Sequence, residues 1–278
     1  MITARDLLVR GLLAGLLAGI AAFVVAYAVG EPSVSAAIAL EDSSTSTGES
    51  HSHGTDTGSA STEDHDHGTA AGGHEHGAAA GGETEVPRSL QSTAGLATAT
   101  VVAGVTLGGL VGVVSALGLG RFGRLGARGV PMLVAGLGFV AVYLVPFLAY
   151  PPNPPAVGSG DTIGYRTELY FLLVAISVLA GVTAVLVARH VAPRWGAWYA
   201  TLVCVAGYAV VVGLASSLMP TYDEVPDGFP ASLLYEFRRS SLLVQATLWG
   251  VIGLALAELT HRRVVRGRTG RPAQLVDA

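Results

Sequence analysis

Six long stretches of this chain are apolar and carry no charge, and a chain so divided has few ways to fold in water. They run Leu12–Val29, Ala94–Leu119, Val130–Ala149, Leu169–Ala188, Ala197–Leu218 and Ser240–Ala257. Each is long enough to cross a hydrocarbon core of about 30 Å as a helix. Backbone polar groups must pair within the segment inside lipid, which selects helices over open strands. The predicted fold class is therefore all-α: a polytopic membrane helix bundle with six transmembrane helices. The charge content agrees, at 13% of the 278 residues against roughly a quarter in soluble domains.

All 16 basic residues are arginine and none is lysine. That excludes a P-loop lysine and a lysine Schiff base, so uphill movement of a solute would draw on a gradient or on another subunit. The single cysteine, Cys204, lies inside the fifth stretch and permits neither an intrachain disulfide nor a cysteine-based metal site. Small packing residue is its plain reading.

The arginines also orient the bundle. Twelve fall on one side: Arg5 and Arg10, Arg121, Arg124 and Arg128, Arg189 and Arg194, and Arg262, Arg263, Arg266, Arg268 and Arg271. Four fall on the other, at Arg88, Arg166, Arg238 and Arg239. The positive-inside rule places both termini in the cytoplasm and the long first loop outside. The domain reading that follows is a first transmembrane helix over 1–29, an outer loop over 30–93, a five-helix membrane bundle over 94–259 and an arginine-rich cytoplasmic tail over 260–278. Arg5, Arg10, the apolar run and Ala26-Tyr27-Ala28 also fit a cleaved signal peptide, which would leave five helices. Gly11, Gly15 and Gly19 favour retention, because their i, i+4, i+8 ridge admits a second helix at close range. Gly104, Gly108 and Gly112 form the same ridge in the second stretch, so these two helices are expected to pack together.

The loop over 30–93 is rich in Ser, Thr, Gly, Ala and acids, with almost no large apolar residue after Leu40. It cannot bury enough surface to offset its ordering entropy and is expected to be disordered. Three His-x-His pairs are set in it: His51 with His53, His65 with His67, and His74 with His76. Eleven acids run from Glu31 to Glu85, with Asp64, Asp66 and Glu75 beside the histidines. Neutral imidazole suits zinc, nickel, copper and cobalt, and in an extended chain residues i and i+2 point the same way. Each pair is thus a local chelate, and three on one tether raise the effective ligand concentration. Metal capture is the favoured reading; the alternatives are a solvated linker and a pH-sensing loop.

No Asp, Glu, Lys, Arg or His lies inside the six stretches, so no deep ion site or proton relay is evident. The polar residues at depth include Ser115, Ser177, Thr183, Tyr208, Gln245 and Thr247, and the single hydroxyls among them are expected to satisfy helix carbonyls or a neighbouring helix. Chemistry gathers at the outer mouth. Residues 146–158 carry five prolines, which force extended geometry and leave carbonyls outside helical bonding. They read equally as a carbonyl-lined cation path or a stiff connector. Arg166 or Arg238 is expected to pair with Glu168 or Glu236 as a structural lock. Asp223, Glu224 and Asp227 in the last outer loop are the candidates for a cation vestibule.

At these segments the chain resembles CbtA, a family of predicted cobalt transporter subunits. The residues that carry the resemblance are PFLAYPPNPPAVG (146–158), IGYRTELYF (163–171) and EVPDGFPASLLYEFRRSSL (224–242), followed by Gln245 and Trp249. RSLQSTAGL (88–96) and a His-rich stretch between the first two helices fit as well. The chain departs from the pattern at Ala149, where a lysine is common, and at Tyr235, where a tryptophan is common. The resemblance implies a polytopic subunit for cobalt uptake, linked to cobalamin synthesis and to a small membrane partner, CbtB. It carries over no binding residues.

The expected function is uptake of a divalent transition metal, cobalt(II) first and nickel(II) next, with the metal as cargo and no permanently bound cofactor. The rival is a membrane-anchored metal buffer or sensor that delivers to another carrier. An enzyme is not expected, because the His-Glu-x-x-His and Gly-x-Ser-x-Gly patterns and paired intramembrane aspartates are missing. Expected partners are the lipid bilayer, the metal ion and a CbtB-like subunit, with no nucleic acid. Abundant Ala, Gly, Val and Arg with no lysine points to a prokaryotic cell membrane.

Overall fold

The computed structural model describes residues 3–48, 87–121 and 125–269. Within them, six helices are long and apolar enough to cross a membrane: α1 (Ala4–Ser43), α2 (Arg88–Gly118), α3 (Gly129–Ala149), α4 (Ile163–Trp195), α5 (Ala197–Leu218) and α6 (Ala231–Val265). The membrane protein expected from the sequence is the one observed. The helical boundaries differ, however. The turns of α1 run unbroken through Ala26–Gly30 and continue over Glu31–Gly48, and α2 already begins at Arg88. Both ends of the segment assigned to a loop are therefore helical. Absence of apolar residues ends a membrane span but not a helix, and Ala, Leu and Glu continue one readily. The six candidate metal ligands of that loop, His51, His53, His65, His67, His74 and His76, lie outside the described residues.

Local chemistry sets the ends of these helices. Thr3 caps α1 reciprocally: its hydroxyl accepts from the Asp6 N–H at 3.2 Å, and the Asp6 carboxylate accepts from the Thr3 N–H at 3.3 Å. α4 and α5 are separated by Gly196 alone, whose φ of +81° reverses the chain in the left-handed region that glycine adopts without strain.

The α1–α2 contact is made by backbone. A methyl group placed on Gly11, Gly15, Gly104 or Gly108 would collide with the carbonyl of the facing glycine. One on Gly19 would stand 2.7 Å from the Thr100 oxygen, and one on Gly112 2.5 Å from the Leu7 oxygen. The two ridges thus interlock antiparallel, residue for residue, as their spacing predicts. In lipid there is little apolar driving force between helices, so such close packing is a principal source of association. α6 packs on α1 and α3, and the Trp249 ring lies on Gly138. Leu7, Ala14, Ala18, Val111, Ala135, Ile252 and Leu256 complete this core.

α4 and α5 form a second unit, joined to α3 through Val145, Leu173 and Val212. The Ser177 hydroxyl lies 2.7 Å from the Tyr208 hydroxyl and links the two helices. Thr183 and Thr247 instead donate to the carbonyls of Leu179 and Leu243, each at 2.8 Å. These hydroxyls serve the structure, as expected, whereas the Ser115 hydroxyl is buried without a hydrogen-bond partner. Two ion-pair clusters tie the ends of the bundle. Arg128 and Arg262 converge on Glu258, both at 2.8 Å, and Arg88 donates to Glu31 across α1 and α2.

The glycine ridge yields a sharp expectation. Gly108→Leu forces α1 and α2 apart and costs at least about 3 kcal/mol, the upper range of overpacking penalties. Gly207→Ala, mid-helix at a site with no neighbour within 4 Å, does not destabilise and gains up to about 1 kcal/mol of helix propensity. Thermal unfolding of the two variants in detergent, followed by size-exclusion chromatography, checks the difference.

Candidate functional site at the proline-rich end

The end of the bundle opposite the first turn of α1 is built from the 150–162 connector, the 219–230 loop and the first turns of α4 and α6. The prolines hold the connector out of helical geometry, and it turns back at Ala156, whose φ is +65°. Tyr150 donates its hydroxyl to the Pro220 carbonyl at 2.9 Å, fastening this connector to the other loop. Tyr165 and Tyr222 meet edge to face, with centroids 6.3 Å apart.

Glu224 is the hub of the assembly. Its carboxylate accepts hydrogen bonds from the Thr162 hydroxyl and the Arg166 guanidinium. The Ser159 N–H adds a third at 3.2 Å. The Arg166 and Glu224 side chains keep only 23% and 13% of their surface exposed. Gly158, at φ +123°, passes so close that a methyl there would stand 3.2 Å from the Arg166 guanidinium. Hydrogen bonding from Thr162 is the main cause that holds the Glu224 carboxyl below the usual glutamate range, with Ser159 and Arg166 adding to it against desolvation.

This corrects the expected locks. Arg166 pairs with Glu224, and Arg238 donates to the Asn153 amide oxygen at 3.1 Å. Glu168 and Glu236 are exposed and join neither arginine. The acid meant for the vestibule is the one that closes the lock, because the connector folds over the first turn of α4 and brings Glu224 to Arg166.

Two cavities adjoin this hub and share Tyr150, Pro151, Asn153 and Arg166. The larger, of about 510 Å³, reaches down α3 and α4 to Tyr143, Phe147 and Tyr170. The smaller, of about 250 Å³, is walled by Asp223, Glu224, Tyr222 and Arg238. Of the three loop acids, Asp223 and Glu224 thus come together. Asp227 stands apart on the turn closed by the Phe229 N–H and the Pro226 carbonyl at 3.1 Å. Among the described residues, no three His, Cys, Asp or Glu side chains are grouped as a metal centre would require. Asn153 and the aromatic wall were not singled out from sequence. The Phe139, Tyr143 and Phe147 stack, with centroids 5.9 and 5.5 Å apart, follows an i, i+4 spacing that marks them as one face.

Because the Glu224 carboxyl is held low, its contribution to stability is complete above the ordinary glutamate value of about 4.3 and fades as pH falls through the lowered one. Glu224→Gln is therefore less stable than wild type at pH 7, and the gap between them closes in acid. Melting temperatures of both proteins across a pH series check the sign.

Comparison with curated proteins found no match, and comparison with solved structures found none. The model of one family, described as probable cobalt transporter subunit (CbtA), matches residues 4–261, from the first turn of α1 to the end of the bundle. The match takes in both glycine ridges and every residue of the proline-rich end, and the chain belongs to the CbtA family of probable cobalt transporter subunits.

Proposed function

We propose that this chain is the membrane subunit of an importer for a divalent transition metal, with cobalt(II) the first cargo and nickel(II) the second. The observation that carries the reading is the family match along nearly the whole bundle. In this reading both termini are cytoplasmic and the proline-rich end faces outward, in line with the twelve-to-four arginine bias. The pairs His51 and His53, His65 and His67, and His74 and His76 collect metal outside and raise its local concentration. Asp223, exposed on the rim of the smaller cavity and in no ion pair among the described residues, receives the cation. Glu224, held by Thr162, Ser159 and Arg166, shapes that rim. Asp227 lies on the approach. A second small membrane subunit of the CbtB kind completes the carrier.

The six apolar stretches carry no charged or imidazole ligand at depth, and that favours one rival: a membrane-anchored buffer that binds metal and hands it on. The two readings separate in vesicles containing the purified chain. A buffer binds cobalt(II) without flux across the membrane.

The deciding experiment is uptake of labelled cobalt(II) and nickel(II) by a transport-deficient bacterial host expressing the chain. Accumulation above an empty vector is expected. It falls at limiting metal, and recovers at high metal, when all six loop histidines are changed to alanine. No accumulation, with the protein present in the membrane and a CbtB-like subunit supplied, would sink the importer reading.

A further inference from the structure

The pair of cavities at the proline-rich end is more than a lone cation needs, and its polar groups are of the wrong sign for one alone. Arg238 reaches the smaller cavity and spends one Nη2 hydrogen on Asn153. Its Nε is buried and has no hydrogen-bond partner, and no carboxylate of the described residues stands within ion-pair distance. Arg166 lines both cavities. The larger cavity is walled by Tyr143, Phe147 and Tyr170, and the Tyr143 hydroxyl is also buried without a partner. A buried polar atom left unpaired is costly, and a guanidinium most of all. A volume of about 510 Å³ falls within the range of small-molecule sites, which combine apolar walls with a few aimed polar groups.

From this arrangement we infer that the site takes the metal as a carboxylate-bearing organic chelate, with Arg238 binding the ligand's carboxylate and Asp223 facing the metal. The inference rests on the metal-uptake reading and names the substrate class for it. The Arg238 guanidinium, which lines the smaller cavity, donates from its terminal nitrogens to a carboxylate oxygen in a charge-assisted hydrogen bond. Deeper in the larger cavity, the aromatic wall of Tyr143, Phe147 and Tyr170 covers the carbon skeleton. Asp223 and Arg238 sit on the same small cavity without pairing with each other, so the site presents one free charge of each sign. A complex of a cation with an organic anion meets both; an aquated cation meets only the first.

The test uses the full chain in phosphatidylcholine nanodiscs, with cobalt(II)–citrate, citrate, cobalt(II) chloride and inorganic phosphate as probes in equilibrium binding. Tightest binding of cobalt(II)–citrate is expected. Arg238→Gln weakens it about tenfold or more, and Asp223→Asn weakens the complex more than citrate. Asp223 is exposed and in no ion pair among the described residues, so Asp223→Asn tests the site even if Arg238→Gln fails to fold. Three results overturn the inference. One is cobalt(II) chloride binding as tightly as the citrate complex. A second is phosphate matching citrate with the same dependence on Arg238. The third is loss of citrate binding when phosphatidylglycerol is added to the discs, which assigns Arg238 to a lipid headgroup. None of these touches cobalt accumulation by cells, which tests the uptake reading separately.

Discussion

The half of this bundle built from α1, α2, α3 and α6 hangs on the backbone contact between α1 and α2. Lipid offers little reason for two apolar helices to meet, so their association must come from surfaces that fit closely enough to gain dispersion and carbonyl contacts lipid chains cannot supply. Glycines at four-residue spacing on both helices provide that surface, facing each other as Gly11 with Gly108 and Gly15 with Gly104. α6 then packs against α1, and α3 against α6. The first helix is central to this order. Without it α2 would present a bare glycine groove, and α6 would lose its main neighbour.

The proline-rich end is organised differently, by polar groups that the bundle only brings near each other. α3 and α4 are fixed by the apolar cluster of Val145, Leu173 and Val212, and this sets the take-off points of the 150–162 connector. Prolines limit where that connector can go. Glu224 then draws the other loop in, through three donors from a short stretch of chain.

The helices and the glycine ridges were legible in the sequence because both obey local rules. Charge-free runs report the bilayer, and the i, i+4, i+8 spacing of Gly11, Gly15 and Gly19 reports a face. The extension of α1 to Gly48 was not, because hydropathy registers where lipid ends and is silent on where hydrogen bonding ends. The ion pairs of the mouth were legible only as a set of residues. Arg166 lies two positions from Glu168 and fifty-eight from Glu224, yet residues two apart on a helix do not face each other, and only the path of two loops chooses the partner. Asn153 and the orphaned Nε of Arg238 were hidden for the same reason: a missing partner is a property of the folded arrangement.

The single-residue turn at Gly196 has a consequence for biogenesis. The apolar stretches Leu169–Ala188 and Ala197–Leu218 are joined by eight residues, all but Gly196 helical, and so short and stiff a joint favours entry of the two as a hairpin. Arg189 and Arg194 keep the tip of that hairpin on the arginine-rich side, and the Ser177–Tyr208 hydroxyl pair links its arms at depth. Lengthening the turn with a flexible insert would divide one insertion event into two.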